Sequence, residues 1–158
     1  MSTLAEAAQD FLAQKRIAVA GVSRKGDTAA NIIYKKLRDT GYDVFPINPH
    51  ATEVEGNSCY PDLAAIPGGV DGLVIATPPQ VAAQLVRDCA ERGVHRVWMH
   101  RSFGQGSVND EAVQLAQELG LTIIPGSCPM MFCEPVDIFH RCMRWFFRVS
   151  GNEAEPHH

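Results

Sequence analysis

Short apolar runs alternate with stretches of helical periodicity along almost the whole chain. Thr3 and Glu6 stand three apart, a spacing in which each side chain answers a free backbone N–H at a helix start. Leu4, Ala8, Phe11 and Leu12 then recur at helical intervals. Ile17-Ala18-Val19-Ala20-Gly21 is a run of strand length, apolar at successive positions, as a strand covered on both faces must be. Ala29, Ile32, Ile33 and Leu37 mark a second helix that stops at Gly41, a residue suited to the left-handed position after a helix. A strand is expected over 42–47, ended by Asn48-Pro49, with a short extra segment over 56–60. Gly72-Leu73-Val74-Ile75-Ala76 reads as a third strand. Pro78-Pro79 then opens a helix carrying Val81, Leu85 and Cys89 as far as Gly93, since proline suits a first helical turn. A strand over 94–99 follows. Next come a helix from about Asn109, with Ala112, Leu115, Ala116 and Leu119 inward and Gly120 as its stop, and a strand over 121–124. Pro135 opens a last helix to about Val149.

Strand and helix alternate five times with Gly or Pro at nearly every junction, which predicts an α/β fold: a Rossmann-like parallel sheet of about five strands with helices on both faces. The 158 residues suit one domain over 1–150 with a tail over 151–158. A hydrophobic share of 46% and a charged share of 20% are globular values, and a net charge of −4 opposes a nucleic-acid-binding role. No apolar run reaches bilayer length and the start lacks a signal pattern, so no membrane partner and a cytoplasmic location are expected. The five cysteines, Cys59, Cys89, Cys128, Cys133 and Cys142, form no C-x-x-C and read as free thiols; no metal site is expected.

In open parallel sheets ligands bind beyond the C-terminal strand ends, so the chemistry is sought there. Gly21-Val22-Ser23-Arg24-Lys25-Gly26 follows the first strand. Glycine admits a phosphate close to the backbone, the next helix offers free N–H groups, Ser23 a hydroxyl, and Arg24 and Lys25 charge. A tight turn with solvated basic residues is the plainer alternative. An NAD-binding domain carries a carboxylate at the end of its second strand for the ribose. This chain has Ile47-Asn48-Pro49-His50 there, which fits a ligand with extra phosphate better. Thr77-Pro78-Pro79 offers a hydroxyl and a rigid apolar wall for a base, or only a helix start. The loop Met99-His100-Arg101-Ser102-Phe103-Gly104-Gln105-Gly106 is long and basic, and suits an anion. Cys128, within Gly126-Ser127-Cys128-Pro129, is either a small buried apolar residue or part of the pocket for the ligand's reactive end.

Taken together, Gly21-Val22-Ser23, Gly41-Tyr42-Asp43-Val44, Pro46-Ile47-Asn48-Pro49, Tyr60-Pro61-Asp62-Leu63 and Val97-Trp98-Met99 resemble the CoA-binding domain family. That family includes the first domain of the succinyl-CoA synthetase α subunit and small stand-alone bacterial proteins, and the resemblance runs from about Arg16 to Met131. It implies that Gly21, Val22, Ser23, Arg24 and Lys25 hold the CoA phosphates. It likewise sets Asn48, Pro49 and His50 at the 3′-phosphate end and Thr77 and Pro78 by the adenine. Met99, His100 and Arg101 would lie in the closing loop, and Cys128 near the thiol. The chain departs from the pattern at His50-Ala51, where relatives commonly carry lysine, and at Lys25-Gly26-Asp27-Thr28.

Synthetases of the resembling type use a second domain with a phosphorylated histidine, which this sequence does not hold, and no nucleophile–base–orienter set stands out, so no catalytic residue is assigned. The expectation is non-catalytic binding of coenzyme A or acyl-CoA. The alternatives are an NAD(P)-linked oxidoreductase and a ligand-free interaction module. The last is motivated by Ile138, Phe139, Cys142, Trp145, Phe146 and Val149 on the C-terminal helix, plentiful for one buried stripe. Capping the sheet is the favoured reading of them, and an interface, such as that of a homo-oligomer, the other.

Overall fold

The computed structural model describes residues 3–26, 28–101 and 106–132. The helix expected from Pro135, the tail, Cys133 and Cys142 lie outside the described residues. In chain order the elements are α1 (Leu4–Leu12), β1 (Arg16–Ala20), α2 (Ala29–Asp39), β2 (Asp43–Ile47), β3 (Glu53–Val54), β4 (Asn57–Ser58), β5 (Gly72–Ile75), α3 (Ala82–Glu91), β6 (Arg96–Met99), α4 (Asp110–Glu118) and β7 (Thr122–Pro125). The short 3₁₀ turns Leu63–Ala65, Pro79–Val81 and Pro129–Met131 join them. The Pro78-Pro79 helix thus begins as a 3₁₀ turn before α3.

The five long strands form one parallel sheet in the order β2-β1-β5-β6-β7, while β3 and β4 form a separate antiparallel hairpin. The expected α/β parallel sheet is therefore present. Its order reverses direction between β1 and β5, and at such a switch point adjacent loops diverge and leave a crevice. Tyr60 adds a one-residue parallel bridge to Ile47 at the outer edge of β2.

Side-chain alternation sends each strand's residues to two cores. Ile17, Val19, Val74, Trp98 and Ile124 meet α1 and α2, while Ala18, Ala20, Leu73, Ile75, Val97, Met99 and Ile123 meet α3 and α4. Trp98 is fully buried, edge-on to Phe11 with ring centroids 5.4 Å apart, and its indole N–H donates to the Gly126 carbonyl at 3.1 Å. A buried indole needs such a partner.

The capping box at Thr3 and Glu6 is formed, with both reciprocal bonds present. The helix ends explain one departure from the sequence expectation. Leu119 is 44% exposed, whereas Leu121 is buried. Gly120 turns left-handed at φ 73°, so that its N–H bonds to the Gln117 carbonyl and that of Leu121 to the Ala116 carbonyl. This Schellman arrangement swings Leu119 outward and brings Leu121 back over the last turn. Tyr42 after α2 and Val94 after α3 repeat it.

Candidate functional site

The loops that leave the C-terminal strand ends are fastened one to the next. Gly21 donates to the Ile47 carbonyl at 3.3 Å, and Ala76 to that of Ala20 at 3.0 Å. Asn48 Nδ2 donates to the Val22 carbonyl at 2.9 Å, joining the first loop to the turn after β2. The Ser107 hydroxyl donates to the Thr77 carbonyl at 2.6 Å, and its N–H to the His100 carbonyl at 2.9 Å. Arg101 donates from its backbone to Ser127 at 2.9 Å, and Gly126 to Met99 at 2.9 Å. The described parts of all five loops thus share one edge of the sheet.

Gly21 is the tightest point. Its φ is +104°, and a Cβ there would stand 2.4 Å from the Ala76 carbonyl oxygen. The glycine that sequence reading assigns to phosphate approach is required first by backbone packing across the switch point. Beyond it the loop closes on itself. The Ser23 hydroxyl accepts from the Lys25 N–H at 3.1 Å, which leaves the hydroxyl proton to give. Thr28 caps α2 by accepting from Asn31 N–H, while among the described residues the first two amides of α2, at Ala29 and Ala30, make no hydrogen bond. Free amides at a helix start suit an anion.

The sequence-assigned residues divide by exposure. Arg24, Lys25, Pro49, His50 and Pro78 are exposed, and Ser23, Asn48, Thr77, His100 and Arg101 are half-buried. Val22, Met99 and Cys128 are buried, so they shape the loops from beneath. Asn48 is committed on both sides: besides the bond to Val22, its Oδ1 accepts the His50 N–H at 2.8 Å. Thr77 Oγ1 donates to the Pro78 carbonyl at 3.1 Å. Cys128 caps the Pro129–Met131 turn, and Ser127 before it holds a left-handed φ of 68°, uncommon for a residue with a side chain.

Sequence reasoning missed Asn31, which is fully buried. Its Oδ1 accepts from the Ser23 N–H at 2.7 Å and the Thr28 hydroxyl at 2.6 Å, and its Nδ2 donates to the Ser23 carbonyl at 2.8 Å. Ser107 and Ser127, also buried and polar, were passed over as well. The one available signal is the Thr28-x-x-Asn31 spacing, which places a polar side chain back over the loop. Near the β2 turn, burial pushes the Cys59 thiol up, with the Asn48 and Tyr60 backbone pulling the other way. Among the described residues no group of three or more His, Cys, Asp or Glu is placed to hold a metal ion, and no helix is long and apolar enough to cross a membrane.

A doubly wound sheet with its loops gathered at a switch point is a frame for holding a cofactor between strand ends. The particular frame follows from comparison with known proteins: the chain belongs to the family described as a CoA binding domain, whose model matches residues 15–134. It is 31% identical over 114 residues to an uncharacterized protein, YneT, of Bacillus subtilis, covering 72% of this chain and 82% of that one. It is 30% identical over 126 residues to the acetate–CoA ligase (ADP-forming) II subunit alpha of Pyrococcus furiosus. That match covers 75% of this chain but spans only 27% of the subunit. A hypothetical protein from Pyrococcus horikoshii superposes with a TM-score of 0.77 at 31% identity, over 86% of this chain and 96% of its own.

Proposed function

We propose that this protein binds coenzyme A, free or acylated, between its strand-end loops and performs no chemistry on it. The observation that carries the reading is the end of β2. In a dinucleotide site this position presents a carboxylate to the adenosine ribose. Here it presents Asn48, whose oxygen already accepts the His50 N–H and whose amide already holds Val22. A neutral amide oxygen already engaged in its own turn is a poorer partner for a ribose diol than a free carboxylate, while His50 stands exposed beside it for a phosphate. The family match over all five strand-end loops supports the same ligand. The exposed or half-buried cations Arg24, Lys25 and Arg101 and the Ser23 hydroxyl suit holding an anion. In this reading Gly21 to Lys25 take the diphosphate, Asn48, Pro49 and His50 border the 3′-phosphate, Thr77 and Pro78 flank the adenine, His100 and Arg101 lie over the ligand, and Cys128 lies beneath its thiol end.

Calorimetric titration with CoA, NAD and NADP tests the proposal. CoA is expected to bind and the dinucleotides to bind weakly or not at all; tight NAD or NADP binding without CoA binding overturns it. Mass spectrometry of the small molecule released on denaturing the purified protein distinguishes free CoA from an acyl ester.

A further inference from the structure

The β3–β4 hairpin interrupts the passage from β2 to β5, and cofactor binding at the strand ends gives it no task. Its two turn residues, Glu55 and Gly56, both have positive φ, 50° and 75°, the pairing that a type I′ turn requires. Glutamate is an unusual occupant of that conformation. The turn lies on one face of α2, where Asn31, Lys35 and Arg38 follow at spacings of four and three. Glu55 Oε1 accepts from Asn31 Nδ2 at 2.8 Å and lies 3.7 Å from Lys35 Nζ, while Arg38 Nη1 donates to the Glu55 carbonyl at 3.4 Å.

The Asn31 carboxamide therefore has a defined sense. With Nδ2 toward Glu55 and the Ser23 carbonyl, and Oδ1 toward the Ser23 N–H and Thr28 hydroxyl, every contact is a hydrogen bond. Turned end for end, it would set oxygen against the Glu55 carboxylate and against the Ser23 carbonyl, and N–H against N–H. The Ser23 backbone already selects this sense. The Glu55 carboxylate, which accepts only, takes the second N–H of Nδ2 and so reinforces it and anchors the amide from the side away from the loop. The interaction is charge-assisted and half sheltered, where such bonds count most.

We infer that Glu55 is a positioning residue for the cofactor loop: acting through Asn31, it holds Ser23 and Thr28 in place, and the hairpin is the clasp that brings it there. The link to ligand affinity rests on the CoA reading above, while the ordering of the loop does not. The experiment uses the full chain in three variants, Glu55→Ala, Glu55→Gln and Lys35→Ala. Amide hydrogen exchange is followed at Ser23, with Val74 in the central sheet as reference, alongside the CoA dissociation constant. In Glu55→Ala the Ser23 amide is expected to exchange at least about tenfold faster while Val74 is unchanged, and CoA to bind about tenfold more weakly. Glu55→Gln keeps an oxygen for Asn31 and is expected to restore both readouts. Lys35→Ala removes the ion pair but leaves Asn31 bonded, so Ser23 exchange should stay within about twofold of the parent. Unchanged Ser23 exchange in Glu55→Ala overturns the clasp, and faster exchange with unaltered CoA affinity overturns its role in binding. If the parent protein itself binds no CoA, the CoA reading falls and Ser23 exchange still decides whether Glu55 orders the loop.

Discussion

Gly21 and Ala76 meet backbone to backbone across the switch point, with a Cβ on Gly21 placed 2.4 Å from the Ala76 carbonyl oxygen. Neither chain can retreat, because Ala76 donates to Ala20 and Gly21 to Ile47. Gly21→Ala must therefore bear both the strain of a φ of +104° and the overlap. Urea denaturation is expected to show a loss of roughly 2–4 kcal/mol. A loss under about 0.5 kcal/mol, the usual range for an innocuous surface change, would mean that the two loops part more easily than their bonding indicates.

Arg24 and Lys25 are exposed on the first loop. Their joint replacement by alanine should leave the denaturation midpoint within experimental error and weaken CoA binding by about tenfold at low salt, with the difference shrinking as salt rises. Equal affinity at every ionic strength would remove these two side chains from the binding site.

Trp98 ties the sheet to the turn that carries Cys128 through its bond to the Gly126 carbonyl. Trp98→Phe keeps an aromatic ring against Phe11 but leaves that buried carbonyl short of a donor. The expected cost is about 1–3 kcal/mol in urea denaturation. A smaller effect would show that water or another donor reaches Gly126.

Stability should fall at alkaline pH. Burial, with a smaller contribution from the charge of Asp88, pushes the Cys89 thiol far above its ordinary value of 9.0. Burial raises Cys59 from the same value, and Tyr34 from 10.0. The native state thus keeps protons that the unfolded chain releases once pH passes the ordinary values, so the unfolded state binds fewer protons and unfolding becomes easier. Urea midpoints are expected to hold level to about pH 8 and to decline between about pH 9 and 11. Cys89→Ala should be less stable at neutral pH but show a shallower alkaline decline; parallel curves would remove Cys89 from this account.

The five strands were legible because each is covered on both faces, so each reads as an unbroken apolar run such as Ile17-Ala18-Val19-Ala20. Helix ends were legible at Gly41, Gly93 and Gly120, where a left-handed residue is needed. The β3–β4 hairpin was visible only as an unspecified segment, since two-residue strands are too short to display alternation. Leu119 misled because periodicity extends one residue past the point where Gly120 redirects the chain.

Of the site, the loops were legible and their fastening was not. Strand-end position alone selects the five loops. Most of the bonds that join them end on backbone carbonyls, of Val22, Ile47, Thr77, His100 and Ser127, which leave no trace in residue identity. Asn31 escaped notice because its partner Glu55 lies 24 positions away and only tertiary structure joins them. Asn48, which the resemblance sets at the 3′-phosphate end, also holds the neighbouring loop and its own turn through its side chain, a structural task that its identity alone does not reveal.

The loop-to-loop bonds have a kinetic consequence. A ligand arriving at these strand ends meets a first loop and a β2 turn already tied in place, so little chain freedom remains to be lost on association. Substitutions that loosen a fastening, at Asn48 or Ser107, should leave the encounter rate nearly untouched and shorten the lifetime of the complex instead, because related complexes differ mainly in how fast they come apart.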